Sequence, residues 1–111
     1  MALRTENKGD IAVCYIDGEI DINTAPGIKK NFEKVISGKT PKVVINFKDV
    51  TYVDSSGLAT LVEFLKNIRG YGGKMKLASL SSKVKSLFEI TKLEKLFEMY
   101  SQEEEAISSF K

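Results

Sequence analysis

The sequence predicts an α/β fold: one domain over residues 1–111, built as a mixed, mostly parallel β-sheet of four to five strands with helices packed against it. Three observations carry this expectation. Apolar runs of strand character alternate with helix-periodic segments along the chain, an order that builds a layered sheet with crossover helices. The run Val43-Val44-Ile45-Asn46-Phe47 is β-branched and apolar on both faces, as expected of a central parallel strand covered by helices. A chain of 111 residues suffices for one core and is too short for two.

Taken in order, Leu3 to Asn7 and the apolar run Ile11 to Ile16 flank the turn signal Lys8-Gly9-Asp10 and read as a β-hairpin. After Gly18-Glu19-Ile20-Asp21, Asn23 and Thr24 suit a helix cap, and Pro26 fits a first turn because its missing N–H has no helical partner there. Ile28, Phe32, Val35 and Ile36 then share one face of a helix running to Ser37, and Gly38 suits the left-handed residue that stops it. Val43 to Phe47 is the expected sheet centre. Asp54-Ser55-Ser56-Gly57 leads into a second helix with Leu58, Leu61, Val62, Leu65 and Ile68 on one stripe, ending at Gly70 to Gly73. Those closing glycines match neither G-x-x-x-x-G-K-[ST] nor G-x-G-x-x-G, so they read as a helix stop and turn.

Met75 and Leu77, alternating with Lys74, Lys76 and Ala78, predict a strand with one face more polar than the other. Ser81 or Ser82 can cap a third helix that buries Val84, Leu87 and Phe88. Between Leu93 and Tyr100 a last strand carrying Leu96, Phe97 and Met99 is expected, with helix as the alternative. Ser101 and Glu104 form an S-x-x-E capping box, and Glu103, Glu104 and Glu105 suit the positive end of a final helix docked by Ile107 and Phe110. Parallel crossovers should be right-handed.

Composition narrows the function. The chain is 42% hydrophobic and 29% charged, the balance of a folded domain. Its 17 basic residues interleave with 15 acidic ones for a net charge of +2, so direct nucleic-acid binding is not expected. No stretch approaches the ~20 apolar residues of a membrane span and no apolar leader opens the chain, so a cytoplasmic protein without membrane contact is expected. The single cysteine, Cys14, lies in an apolar run and reads as a buried, inert thiol. Histidine is absent, which removes the usual general base and the commonest metal ligand. Neither Ser55 nor Ser56 sits in G-x-S-x-G or opens S-x-x-K, since Leu58 and Ala59 stand at the third position after each. The expectation is a protein that is not an enzyme, with no catalytic residue, cofactor or metal.

In α/β sheets the working surface forms from loops at the carboxyl ends of parallel strands. Two segments qualify, Gly18-Glu19-Ile20-Asp21-Ile22-Asn23-Thr24-Ala25 and Val53-Asp54-Ser55-Ser56-Gly57-Leu58, and adjacent strands would bring them together. A helix start offers unpaired N–H groups and partial positive charge, which stabilise a phosphate. Gly57 would let a partner's backbone approach closely. The same tetrapeptide, Asp54 to Gly57, is also what an ordinary helix cap prefers, and Asp21 can equally be a loop acid.

Gly18-Glu19-Ile20-Asp21 followed by Thr24-Ala25, then Tyr52-Val53-Asp54-Ser55-Ser56-Gly57-Leu58, Gly72-Gly73, Val84, Leu87-Phe88 and Thr91-Lys92-Leu93 together resemble the anti-sigma factor antagonists of the STAS domain family, over nearly the whole chain. The resemblance implies a single STAS-type domain acting as a partner switch. Unphosphorylated, it would bind an anti-sigma factor that is also a serine protein kinase, freeing a sigma factor. Phosphorylation of the serine after the Asp, Ser55, with Ser56 as second candidate, would reverse binding, and a protein serine phosphatase would reset the cycle. Glu19, Asp21, Thr24, Asp54, Ser55, Ser56, Gly57 and Leu58 would form the partner-binding surface. STAS-type modules also serve other signalling, transporter and lipid-trafficking complexes, which is the alternative. An aspartyl-phosphate receiver centred on Asp54 is a further one, but the acidic pair it wants at the end of the first strand is missing: Asp17, Glu19 and Asp21 stand in an unsuitable order.

Overall fold

The computed structural model describes residues 3–111, so residues 1 and 2 of the expected domain lie outside the described residues. The elements follow as β1 (Leu3–Lys8), β2 (Ile11–Ile20), α1 (Ala25–Ser37), β3 (Lys42–Val53), α2 (Ser55–Gly70), β4 (Lys74–Ala78), α3 (Ser82–Ile90), β5 (Glu98–Tyr100) and α4 (Glu103–Ser108), with a 3₁₀ turn at Leu93–Lys95 before β5. The sheet order is β1-β2-β3-β4-β5. The β1–β2 hairpin is antiparallel and the other pairings are parallel, so the fold is the mixed, mostly parallel α/β sheet that the sequence predicts, with β3 at its centre.

Strand alternation sorts the side chains onto two faces. Cys14, Ile16, Val43, Ile45, Phe47, Met75 and Leu77 form the larger core with Ile28 and Phe32 of α1, Leu61, Phe64, Leu65 and Ile68 of α2, and Val84 and Phe88 of α3. Phe32 stacks on Phe64 with ring centroids 3.9 Å apart, locking α1 to α2. Phe88 meets Phe47 and Phe97 edge-on, at 6.1 and 5.5 Å, which seats α3 on the sheet. The opposite face is covered more thinly: Val13, Val44 and Ala78 pack with Ala106 of α4, and Ile107 and Phe110 dock at its margin.

Several local expectations need correction. The left-handed residue after α1 is Lys39 (φ 50°), not Gly38, which stays right-handed at φ −78°. The helix closes through one more turn, with Gly38 N–H donating to Lys34 O and Lys39 N–H to Ile36 O, so the reversal falls one residue later. The final capping box is Gln102 with Glu105 rather than Ser101 with Glu104: Glu105 Oε1 accepts the Gln102 N–H at 3.2 Å and the Ser101 hydroxyl at 2.7 Å. Leu93 to Tyr100 divides into the 3₁₀ turn and the short strand β5, and Leu96 falls between them, 40% exposed. Ser81 is the cap of α3, accepting the Val84 N–H, and Leu87 is only half-buried there. On the lysine side of β4, Lys74 is exposed but Lys76 is only 4% exposed beneath α4.

Candidate functional site

Parallel pairing of β2 with β3 brings the ends of both strands together, with Ile20 opposite Val53. Two register shifts, opposite Tyr15/Asp17 and Gly18/Glu19, each place one extra residue on β3, the kind of irregularity found beside working sites. Gly18 sits there at φ 80°, a left-handed conformation that side chains beyond glycine rarely adopt. β2 runs on to Ile20, well past the expected end at Ile16.

Asp54 ties the site together. Its Oδ1 accepts the Gly57 N–H at 2.8 Å, capping α2, while its Oδ2 accepts the Ile22 N–H of the neighbouring loop at 3.3 Å. Its own N–H donates to Ile20 O at 3.0 Å. One residue thus fixes the start of α2 and the turn after β2 relative to each other. Asp21 organises that turn: its Oδ1 accepts the Asn23 and Thr24 N–H groups at 2.8 and 2.9 Å. These bonds, that from Thr24 foremost, hold the Asp21 carboxyl below the usual range despite the opposing effect of desolvation. Thr24 occupies the N-cap position of α1, but its hydroxyl does not cap the helix. It turns back into the loop, accepting the Asp21 N–H at 2.9 Å and donating to Glu19 O at 2.8 Å.

The expected site residues therefore fall into two groups. Glu19, Thr24 and Ser55 are exposed, and Asp21, Asp54 and Ser56 half-buried, all around the junction of the two loops. Gly57 and Leu58 are buried. A Cβ on Gly57 would lie 2.3 Å from Ile20 O and 2.9 Å from both Ile20 Cγ2 and Val53 Cγ1. The close approach that Gly57 permits is thus to the chain's own β2, not to a partner's backbone. Ser55 opens α2 directly after its cap, and Ser56 offers its carbonyl to the Thr60 hydroxyl at 3.0 Å.

Sequence reasoning missed Ile22. It is 67% exposed, and its N–H is held by Asp54 at the junction of the two loops. The available signal was an isoleucine between a turn acid and a helix cap, outside every periodic stripe. Among the described residues no group of three or more acidic or cysteine side chains is placed to hold a metal ion, and no helix is long and apolar enough to cross a membrane.

Comparison with known proteins places this geometry. The family model described as the STAS domain matches residues 2–106. The anti-sigma-B factor antagonist of Bacillus subtilis is 34% identical over 99 residues, covering 89% of each chain. A Thermotoga maritima protein provisionally assigned as an anti-sigma factor antagonist superposes with a TM-score of 0.90 at 26% identity, covering 96% of this chain and 92% of that one. The Bacillus cell fate determinant SpoIIAA, in its phosphorylated form, shares the fold at a TM-score of 0.76 and 22% identity, with 99% and 100% of the two chains covered. With the match spanning almost all of the sequence and the sheet and helices arranged alike, the chain belongs to the STAS domain family.

Proposed function

We propose that the protein is an anti-sigma factor antagonist whose unphosphorylated form binds an anti-sigma factor that is also a serine kinase, and that phosphorylation of Ser55 reverses the binding. One observation carries the reading: Ser55 stands exposed on the first residue of α2, beside the Asp54 clamp and on the same surface as the exposed Ile22. A kinase can reach that hydroxyl without unfolding anything. Transfer of the terminal phosphoryl group of ATP to Ser55 Oγ releases ADP and the hydroxyl proton, and leaves about −1.5 to −2 of charge at neutral pH. The helix start tolerates such charge. A partner seated over Ile22 does not, because bulk and charge arrive next to Asp54 and Asp21 in a surface that docking must desolvate. A protein serine phosphatase restores the binding form.

Support comes also from the relatives, several of which are named anti-sigma-B factor antagonists, and from SpoIIAA, known in both unphosphorylated and phosphorylated forms. Asp54 spends both carboxylate oxygens on backbone N–H groups, which suits a cap better than a phosphate acceptor. Regulation, not catalysis, in the cytoplasm is the corresponding role. Calorimetric titration with the cognate anti-sigma kinase tests it. Unmodified protein should bind tightest, Ser55→Asp more weakly and the Ser55 phosphoform weakest, while Ser55→Ala binds but accepts no phosphate. Equal affinities among folded forms, or stoichiometric phosphorylation of Ser55→Ala, would defeat the assignment.

A further inference from the structure

We infer a second site, at the opposite end of the sheet, that binds a compact anion of the phosphoryl class. Lys42 and Lys74 are register partners at the starts of β3 and β4, and Lys76 pairs with Val44 on the same face. The three lysines line one cavity of about 200 Å³ beside Gly72, Ser109 and Phe110, on the side of the sheet that α4 covers. The three side chains bring positive charge to one cavity, and a multiply charged anion there would meet complementary charge.

The lysines differ in mobility. Lys76 is a fixed charge: its side chain is 6% exposed, its Nζ donates to Ser109 Oγ at 2.7 Å and to Ser109 O at 3.4 Å, and it lies 4.3 Å from the centroid of the Phe110 ring. By occupying Ser109 O it also masks a carbonyl at the end of α4 that would otherwise repel an anion. Lys42 and Lys74 are the movable arms. Lys42 meets Asp10 at 2.9 Å, but with side-chain exposures of 35% and 64% this is a solvated pair of little strength, which a dianion can displace. Lys74 is exposed. Glu98, 3.5 Å from Lys76 Nζ, is itself 60% exposed, so it offsets the Lys76 charge only through a solvated carboxylate.

The test is a titration of ¹⁵N-labelled protein with inorganic phosphate, with pyrophosphate and with a sugar phosphate, against sodium chloride at matched ionic strength. Saturable shifts are expected at the Gly72, Lys74 and Ser109 amides while those of Ile22 and Ser55 stay in place. Lys42→Gln and Lys74→Gln, both at solvated side chains, should each weaken binding about tenfold or more, with the rest of the spectrum unchanged. A preference for the sugar phosphate identifies a phosphomonoester ligand, and the reverse order a free anion. Shifts that chloride reproduces, that fail to saturate, or that persist with unaltered affinity in both variants overturn the site.

Discussion

Gly57→Ala sets two backbone effects of opposite sign against each other. Alanine is a better helix former than glycine by about 0.8–1 kcal/mol, and Gly57 is the third residue of α2 after its Asp54 cap, so propensity alone predicts a gain. Against it stands the Cβ, 2.3 Å from Ile20 O and 2.9 Å from two methyl carbons. The oxygen is backbone in the last residue of β2 and already accepts the Asp54 N–H at 3.0 Å, so it cannot swing aside as a side-chain tip would. Forcing α2 outward is overpacking, which costs about 1–3 kcal/mol, and a contact this short belongs at the upper end. Net destabilisation of about 2 kcal/mol follows, a fall in Tm of roughly 8 °C for a domain of this size. Gly27 supplies a matched control: it is the third residue of α1, with open space where a Cβ would go, so Gly27→Ala should hold or raise Tm. Thermal unfolding followed by circular dichroism measures both, and a Gly57→Ala protein melting at or above the wild type would refute the steric reasoning.

Asp54→Ala removes the α2 cap and the bond to Ile22 together, and should lower urea-unfolding stability by about 1–2 kcal/mol, whereas Asp54→Asn, which keeps one acceptor, should lose less; equal losses would show that the carboxylate does not bridge the loops. Burial pushes the Cys14 thiol up to about 11, so a thiol reagent at pH 8 should label the native protein far more slowly than the urea-unfolded chain, and matching rates would contradict its placement. At Glu103, burial raises the carboxyl pKa, but bonds from Lys8, Asn46 and Tyr15 outweigh it and hold the group below its ordinary 4.5. A carboxyl depressed on folding stabilises above its unfolded pKa and loses that contribution as pH falls through the folded value. Glu103→Gln should therefore melt below the wild type at pH 7 and converge with it in acid below the ordinary carboxylate range; a constant gap in Tm down to that pH would count against the network.

What was legible in the chain is what local pattern controls. The apolar stripe of α2 and the doubly apolar run in β3 announce themselves because each residue's partner face follows from a fixed period. The tail of β3 did not, since Lys48 to Val53 alternates exposed and buried positions irregularly where extra residues on β3 shift its pairing with β2. Lys76 shows the same limit from the other side: a lysine in a strand reads as solvent-facing, and only α4, arriving from the far end of the chain, buries it and supplies Ser109 as its acceptor. Gly57 was visible as a glycine, but what it faces, Ile20 O, depends on β2 lying beside β3. Ile22 carried no period at all.

The tetrapeptide Asp54 to Gly57 admits two readings in sequence, a plain helix cap or a phosphate acceptor, and the geometry makes them compatible instead of exclusive. Capping falls to Asp54, through Gly57 N–H. Close packing falls to Gly57, against β2. That division leaves Ser55 on the surface with the cap already supplied by its neighbour, so its hydroxyl can be modified, or removed, while the helix start stays as it is. For the proposed switch, the consequence is a clean separation of stability from partner binding. Ser55→Ala should unfold within about 0.5 kcal/mol of the wild type, because Ser55 is exposed and Asp54 supplies the cap, so that whatever it changes in partner binding after exposure to kinase and ATP reports the lost acceptor. A loss of 1 kcal/mol or more would mean that Ser55 shares the capping with Asp54, and the binding comparison would then have to be made at matched fractions of folded protein.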